Sequence, residues 1–305
     1  MKGKSIQSIC IVLLLVLGAA VTQAGAAVFT VGNSGEGNYT SIQEAVNNAQ
    51  NGDTILVSPG AYRENVNVNK ELAIISSTDL SGDVMNRTYV IGAVPTNDVF
   101  NIRSSNVTIS GFHILGGPSG MDTYQEAGLY LEGVQNCLLS NNTLILNDAG
   151  IVLNNSQRNL LDNNLIGFGT SGIRLTGSND NSLSENEILT TSEGVLLENS
   201  ANNTFMNNSL HMNGLGMYLN TSSGNTIYQN RFSNFQNALD EGTNIWNTSS
   251  AGNLWGDYNG TDADGNGIGD TPYVVNQTTG SIDYMPLVIN VSSDNIQENM
   301  SGNNT

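Results

Sequence analysis

The segment Asp262-Ala263-Asp264-Gly265-Asn266-Gly267-Ile268-Gly269-Asp270 places side-chain oxygens at its first, third, fifth and ninth positions. Glycine stands at the sixth, and Ile268 offers a backbone carbonyl at the seventh. This is the spacing of an EF-hand-like calcium loop, in which hard oxygen donors surround a hard cation. The twelfth position is Tyr273, so the usual bidentate Glu is missing and Asp257, Asp283 or water has to complete the shell. The expected metal site is Asp262, Asp264, Asn266, Ile268 and Asp270 around a structural calcium. The alternative is an Asp- and Gly-rich turn.

A second constellation is a surface rather than a loop. Tyr130, Val152, Arg174, Leu196, Tyr218 and Asp240 recur at steps of 22, and so do Glu132, Asn154, Thr176, Glu198 and Asn220. Side by side on a sheet, Tyr130, Glu132, Arg174, Glu198 and Tyr218 could stack against a sugar chain and hydrogen-bond to it. The alternative is an ordinary solvated sheet face. No catalytic residues emerge. Hydrolysis needs two carboxylates facing each other across one bond, and Glu132 and Glu198 fall three repeats apart, roughly 14 Å at one strand spacing per repeat. Lyase chemistry wants a base beside a metal, and Arg174 stands alone. Met206, His211, Met212 and Met217 are soft donors suited to Cu(I), but Met217 belongs to an apolar column that points to packing.

The element that must position these residues is a 22-residue repeat. Asparagines stand at 142, 164, 186, 208 and 230, with a second file at 159, 181, 203 and 225. Glycines stand at 128, 150, 172, 194 and 216. Apolar residues alternate or come in twos and threes between these corners, as in strands, and no repeat holds a continuous helical stretch. One repeat is therefore one coil of a β-solenoid, which cannot bury its apolar face alone and must stack on its neighbours. The predicted interior columns are Leu129, Ile151, Ile173, Val195, Met217, Leu239, then Leu131 to Leu219, Leu139 to Ile227, and Leu144 to Phe232. The asparagine files read as structural corners, since Asn tolerates left-handed backbone and its amide can bond to its equivalent one coil away. Cys137 fills the column that Asn159 holds one coil on, and reads as a corner residue.

Residues 1–26 read as a secretory signal: Lys2 and Lys4, an apolar run, then Ala24-Gly25-Ala26 as cleavage site. Retention as an anchor is the alternative; after cleavage no further membrane insertion is expected. The formal charge is −18, from 27 acidic and nine basic residues. Losing Lys2 and Lys4 makes it more negative still. Such a surface repels nucleic acid and anionic membranes, and polyanionic sugars unless cations intervene. Fourteen Asn-X-Ser/Thr sequons read as glycan sites in an exported chain, although an Asn-rich sequence also produces them by accident.

Ser41 and Glu44 have capping-box spacing ahead of the apolar face Ile42, Ala45, Val46 and Ala49. A helix over 41–50 is thus expected to plug one end of the tube. Eight extra residues near 116–127 predict a loop. The repeat fades after about Asp240, residues 241–291 read as a C-terminal cap, and 292–305 as a disordered tail.

Ser41-Ile42-Gln43-Glu44-Ala45-Val46, Gly52-Asp53-Thr54-Ile55-Leu56-Val57 and Pro59-Gly60-Ala61-Tyr62 resemble the opening of pectin-lyase-like proteins. The coils and the ending from Gly252-Asn253-Leu254-Trp255-Gly256-Asp257-Tyr258 to Pro286-Leu287 resemble the NosD-type family, whose repeat region is also described as a carbohydrate-binding and sugar-hydrolysis (CASH) domain. The resemblance covers 38–290. It implies a right-handed parallel β-helix in an exported surface protein, with copper binding or carbohydrate binding as the family's roles. The expectation is a non-enzymatic cell-surface protein that binds carbohydrate or contributes to the envelope, taking a polysaccharide or surface glycan and envelope proteins as partners. A polysaccharide hydrolase or lyase, and a copper-handling accessory protein, are the alternatives.

Overall fold

The computed structural model describes residues 25–78, 86–94, 96–116 and 127–288. The expected signal, the 116–127 loop (but for its two ends) and the tail lie outside these residues. The chain winds into a parallel β-solenoid with three sheets. A full coil is a long strand and two short ones, as in Ala149–Asn154, Leu160–Asp162 and Leu165–Gly167. The first sheet stacks nine strands from Val28–Val31 to Thr226–Tyr228, and the second nine from Gly60–Arg63 to Leu254–Trp255. The long-strand sheet stacks eight, from Val66–Val68 to Gln236–Asp240.

The interior follows the predicted columns through Met217. Ile151 and Leu153 point inward from the long strand, Leu161 and Ile166 from the short ones, and all are buried. In the last coil the register slips by one: Met217 pairs with Ala238, Tyr218 with Leu239 and Leu219 with Asp240. Leu239 therefore faces outward, and Asp240, expected on the outer face, is fully buried. The cause is a coil one residue short at the turn after Ser233, where Asn234 already occupies the place of Asn213.

Both asparagine files are buried ladders. Asn164 Nδ2 donates to Asn186 Oδ1 at 2.9 Å, and Asn186 Nδ2 to Asn208 Oδ1 at 2.9 Å. Each amide also donates across the corner to a backbone carbonyl, as Asn186 does to Leu161 at 2.9 Å. Buried amides are tolerated because every donor and acceptor is met. A serine ladder, Ser156, Ser178, Ser200 and Ser222, runs parallel to them. The glycine file exists because a Cβ at Gly172 would collide with the carbonyl oxygen of Gly194 and the Ile188 side chain.

The N-terminal end is closed by α1, Ile42–Asn48, with Ser41 as its N-cap. Glu64 accepts from Ser41 Oγ and from the Ile42 and Gln43 amides at 2.8–2.9 Å. Lys70 Nζ donates to the Val46, Asn47 and Ala49 carbonyls at the other end. An anion at the N-terminus and a cation at the C-terminus both suit the helix dipole, which holds so short a helix over the core.

Candidate functional site

The long-strand sheet brings the five predicted sugar-facing residues onto one outer face. Tyr130, Val152, Arg174, Leu196 and Tyr218 are successive register partners, as are Glu132, Asn154, Thr176, Glu198 and Asn220. Alternation along each strand turns these outward while Leu131, Leu153, Leu175, Leu197 and Leu219 turn in. Tyr130, Arg174 and Tyr218 are thus two coils apart, about 9.6 Å at one strand spacing per coil.

Their polar ends are positioned by neighbours. Asn154 Nδ2 donates to the Tyr130 hydroxyl at 3.0 Å. Arg174 Nε donates to Ser171 Oγ at 3.1 Å, and its Nη2 lies 3.4 Å from Asp148 Oδ2. Glu132 is paired with Arg103 at 2.7 Å. Tyr218 donates to Glu241 Oε2 at 2.9 Å. That bond first, then burial and the charges of Glu241, Glu193 and Glu198, raises the phenol above its ordinary pKa.

The same outward file continues beyond Tyr130 to Asn101 and Asn67. There a polar cleft of about 240 Å³ is lined by Asn65, Asn67, Thr96, Asn97, Asp98 and Asn101. Asn65 holds its rim, donating to the Asp98 and Asn97 carbonyls at 2.9 and 3.1 Å and accepting from the Val94 amide at 2.8 Å. Sequence reasoning missed the cleft because the early coils are not 22 residues long: Asn67 to Asn101 and Asn101 to Tyr130 are longer steps. A search for equivalent strands at unequal spacing would have found it.

The second candidate lies in the C-terminal cap. The Asn266 amide is shared by Asp262 Oδ1 at 3.0 Å and Asp264 Oδ1 at 3.2 Å, so two carboxylates converge. The Gly267 amide donates to Asp262 Oδ2 at 3.0 Å, and the Ile268 amide to Asn266 Oδ1 at 2.8 Å. Asp270 Oδ2 accepts from Thr261 Oγ1 and the Ala263 amide. This donor set suits a hard cation. The two carboxylates named to complete the shell are turned elsewhere. Asp257 accepts from Asn237 at 2.7 Å and from the Tyr273 hydroxyl at 3.0 Å. Asp283 is buried, taking the Trp255 indole N–H at 2.9 Å and the Asn253 amide at 2.7 Å. Burial pushes the Tyr273 phenol up to about 12, with the Asp257 charge adding to it. Of the candidates named to complete the shell, water is then the one available.

The soft donors do not converge. Met217 is buried in the interior column. Met206 accepts from the Tyr228 hydroxyl on the first sheet, while His211, on the second, lies 3.0 Å from Glu187. Met212 projects from a corner, and His113 is buried against Tyr89. Burial, with Arg87 adding to it, lowers the His113 pKa. These residues are therefore not brought together at one point, and among the described residues no three His, Cys, Asp or Glu side chains gather as a metal cluster. Cys137 is buried, with its amide on Asn159 Oδ1 at 2.9 Å; burial pushes its thiol to about 11.

A family model described as "Periplasmic copper-binding protein (NosD)" matches residues 46–260. The chain belongs to the NosD family. This NosD-family chain is 34% identical over 137 residues to a cell surface glycoprotein of Methanothermus fervidus. That match takes in 44% of the chain and 20% of the relative, so the chain spans about a fifth of the relative's length. Among solved structures, pectate lyase Pel9A aligns with a TM-score of 0.54 at 13% identity, over 76% of this chain and 75% of that one. A pectin methylesterase from Aspergillus niger aligns at 0.53 and 15%, over 81% and 89%. The periplasmic alginate epimerase AlgG aligns at 0.51 and 16%, over 72% and 54%. At these identities the likeness establishes the fold that this NosD-family chain shares with them.

Proposed function

We propose that this NosD-family β-helix is an extracytoplasmic, surface-located protein that binds a glycan along the outer face of its long-strand sheet. The observation that carries this reading is the straight file Asn67, Asn101, Tyr130, Arg174 and Tyr218, with Arg174 two coils from each tyrosine and polar groups fixed between them. Tyrosine ring faces suit stacking on sugars, and amide and guanidinium groups suit hydroxyls. The family description and the surface relative support the location, and the solved neighbours named for pectate, pectin and alginate support a saccharide ligand. The reading is of binding without cleavage: Glu132 is held by Arg103, and Glu198 stands three coils away, too far to share one glycosidic bond.

The test is a polysaccharide panel scored for bound glycan and for released fragments. Binding that drops about tenfold or more in each of Tyr130→Ala and Tyr218→Ala, with no fragments, is expected. Fragments would overturn the binding-only reading, and binding unchanged by both substitutions would overturn the site.

The convergence of Asp262 and Asp264 on one amide favours a second assignment: the 262–270 loop holds a calcium ion that stiffens the cap. A calcium-dependent rise in melting temperature, absent from Asp262→Ala/Asp264→Ala, is the expected result. An equal rise in that variant would sink the assignment.

A further inference from the structure

The turn that joins the second sheet to the next long strand differs from the other corners in placing apolar residues in the left-handed region. Positive φ crowds a Cβ against the backbone, so Gly, Asn and Asp are the residues that sit there with least strain. Elsewhere the corners use mostly polar residues, Asn foremost: Asn106, Asn141, Asn163 and Asn207 lie at φ +60°, +55°, +51° and +57°. At this turn the residues are Leu146, Phe168, Thr190 and Met212, at +59°, +59°, +56° and +58°. Burial does not compensate the strain. Leu146 is 61% exposed, Phe168 54% and Met212 74%.

These side chains form a straight ridge. The residues just before them, Ile145, Gly167, Leu189 and His211, are register partners, so the ridge advances one residue per coil, about 4.8 Å. Beside it, on the outer face of the second sheet, runs a half-buried apolar strip: Ile91, Leu115, Ile145 and Leu189, notched at Gly167.

We propose that this ridge and strip are the surface through which two copies of the chain dimerise, side by side and antiparallel. Pitch points to a second copy. A row with one side chain per coil is matched along its length by a partner with the same spacing, and the chain carries that partner strip itself. A two-fold contact lets each ridge lie in the other's strip, satisfying both at once. Charge points the same way. At a formal charge of −18, copies repel wherever carboxylates are dense. Ridge and strip contain none, and two of the carboxylates near them, Asp148 and Glu187, face Arg174 and His211. Exposed bulky residues in a strained backbone region are the kind of cost that persists where it serves contact.

The test is sedimentation velocity of the exported chain over a concentration series, beside the triple variant Leu146→Asn/Phe168→Asn/Met212→Asn. Asn suits the left-handed backbone, so the variant folds with an unchanged or higher melting temperature when both proteins are monomeric. The wild type is expected to dimerise, and the variant to do so about a hundredfold more weakly or worse. A wild type that stays monomeric to roughly millimolar concentration, where association is negligible, would overturn the proposal. So would a variant that dimerises as tightly as the wild type, or assembly that runs past the dimer. Tyr218→Ala, on the glycan face, is expected to leave dimerisation intact; its loss there would place the interface on the other face and overturn the assignment.

Discussion

The regular coils and the C-terminal cap stabilise the same tube by opposite means. In the coils, identical neutral amides repeat: Asn142, Asn164, Asn186, Asn208 and Asn230 each meet their equivalents, and no single member differs from the next. In the cap, unique residues do the work. Buried Asp240 takes the Trp246 indole N–H at 2.8 Å, Ser281 Oγ at 2.7 Å, Asn244 at 2.8 Å and the Gly242 amide at 2.9 Å. Asp283 is served likewise by Trp255, Asn253 and Met285. Trp255 lies stacked between Phe232 and Tyr273, at centroid distances of 4.6 and 4.0 Å. A repeat spreads its stability over equal interfaces, whereas an end must seal the core with groups that have no neighbour beyond them. Spread and concentrated stabilisation should respond differently to mutation.

The largest effect is expected at Asp240→Ala, which strands the Trp246, Ser281, Asn244 and Gly242 donors in the interior. Chemical denaturation should show a loss of about 3–5 kcal/mol. A loss below that of any coil substitution would break the contrast drawn between the two regions. Asn186→Ala comes next, leaving the Asn164 backbone and side-chain N–H groups without the oxygen they share, at about 2–4 kcal/mol. Asn164→Ala should match it within the scatter of such measurements, because the coils are equivalent; unequal costs would show that the ladder is not uniform.

A smaller effect concerns pH. Burial raises the Asp283 pKa above its usual 3.8, partly offset by the bonds it accepts. The folded state then holds this proton more tightly than the unfolded one. Its contribution is full below pH 3.8 and is lost as pH rises through the folded value. Asp283→Asn should flatten that part of the stability–pH curve, and an unchanged slope would assign it to another carboxylate. The smallest effect on the fold is at Cys137, whose buried thiol at about 11 should resist alkylation at neutral pH until the chain unfolds. Labelling at the rate of a free thiol would mean that the corner opens locally.

The contrast also explains what the sequence made legible. The coils could be read because one period fixes columns, corners and outward files together, and Tyr130, Arg174 and Tyr218 followed directly. The reading failed where the period failed. A coil one residue short moved Asp240 from the expected outer face into the core, and Leu239 the other way. The longer early coils hid Asn67 and Asn101, so the cleft was missed. Asp257 and Asp283 looked available to a metal because their partners, Tyr273 and Trp255, are set by the cap's own packing and by no repeat. The strained ridge carried no pattern signal, since Leu and Phe at a turn look ordinary until φ is known.

The constant register has one more consequence. The ladders, the glycine file and the interior columns all advance together, so length can change without any other alteration. Excising residues 164–185 would join Asn163 directly to Asn186, with every hydrogen-bonded file resuming in step. The tube would shorten by about 4.8 Å, and Tyr130 and Tyr218 would draw one coil closer. The molecule is built as a ruler whose graduations can be removed or inserted one at a time.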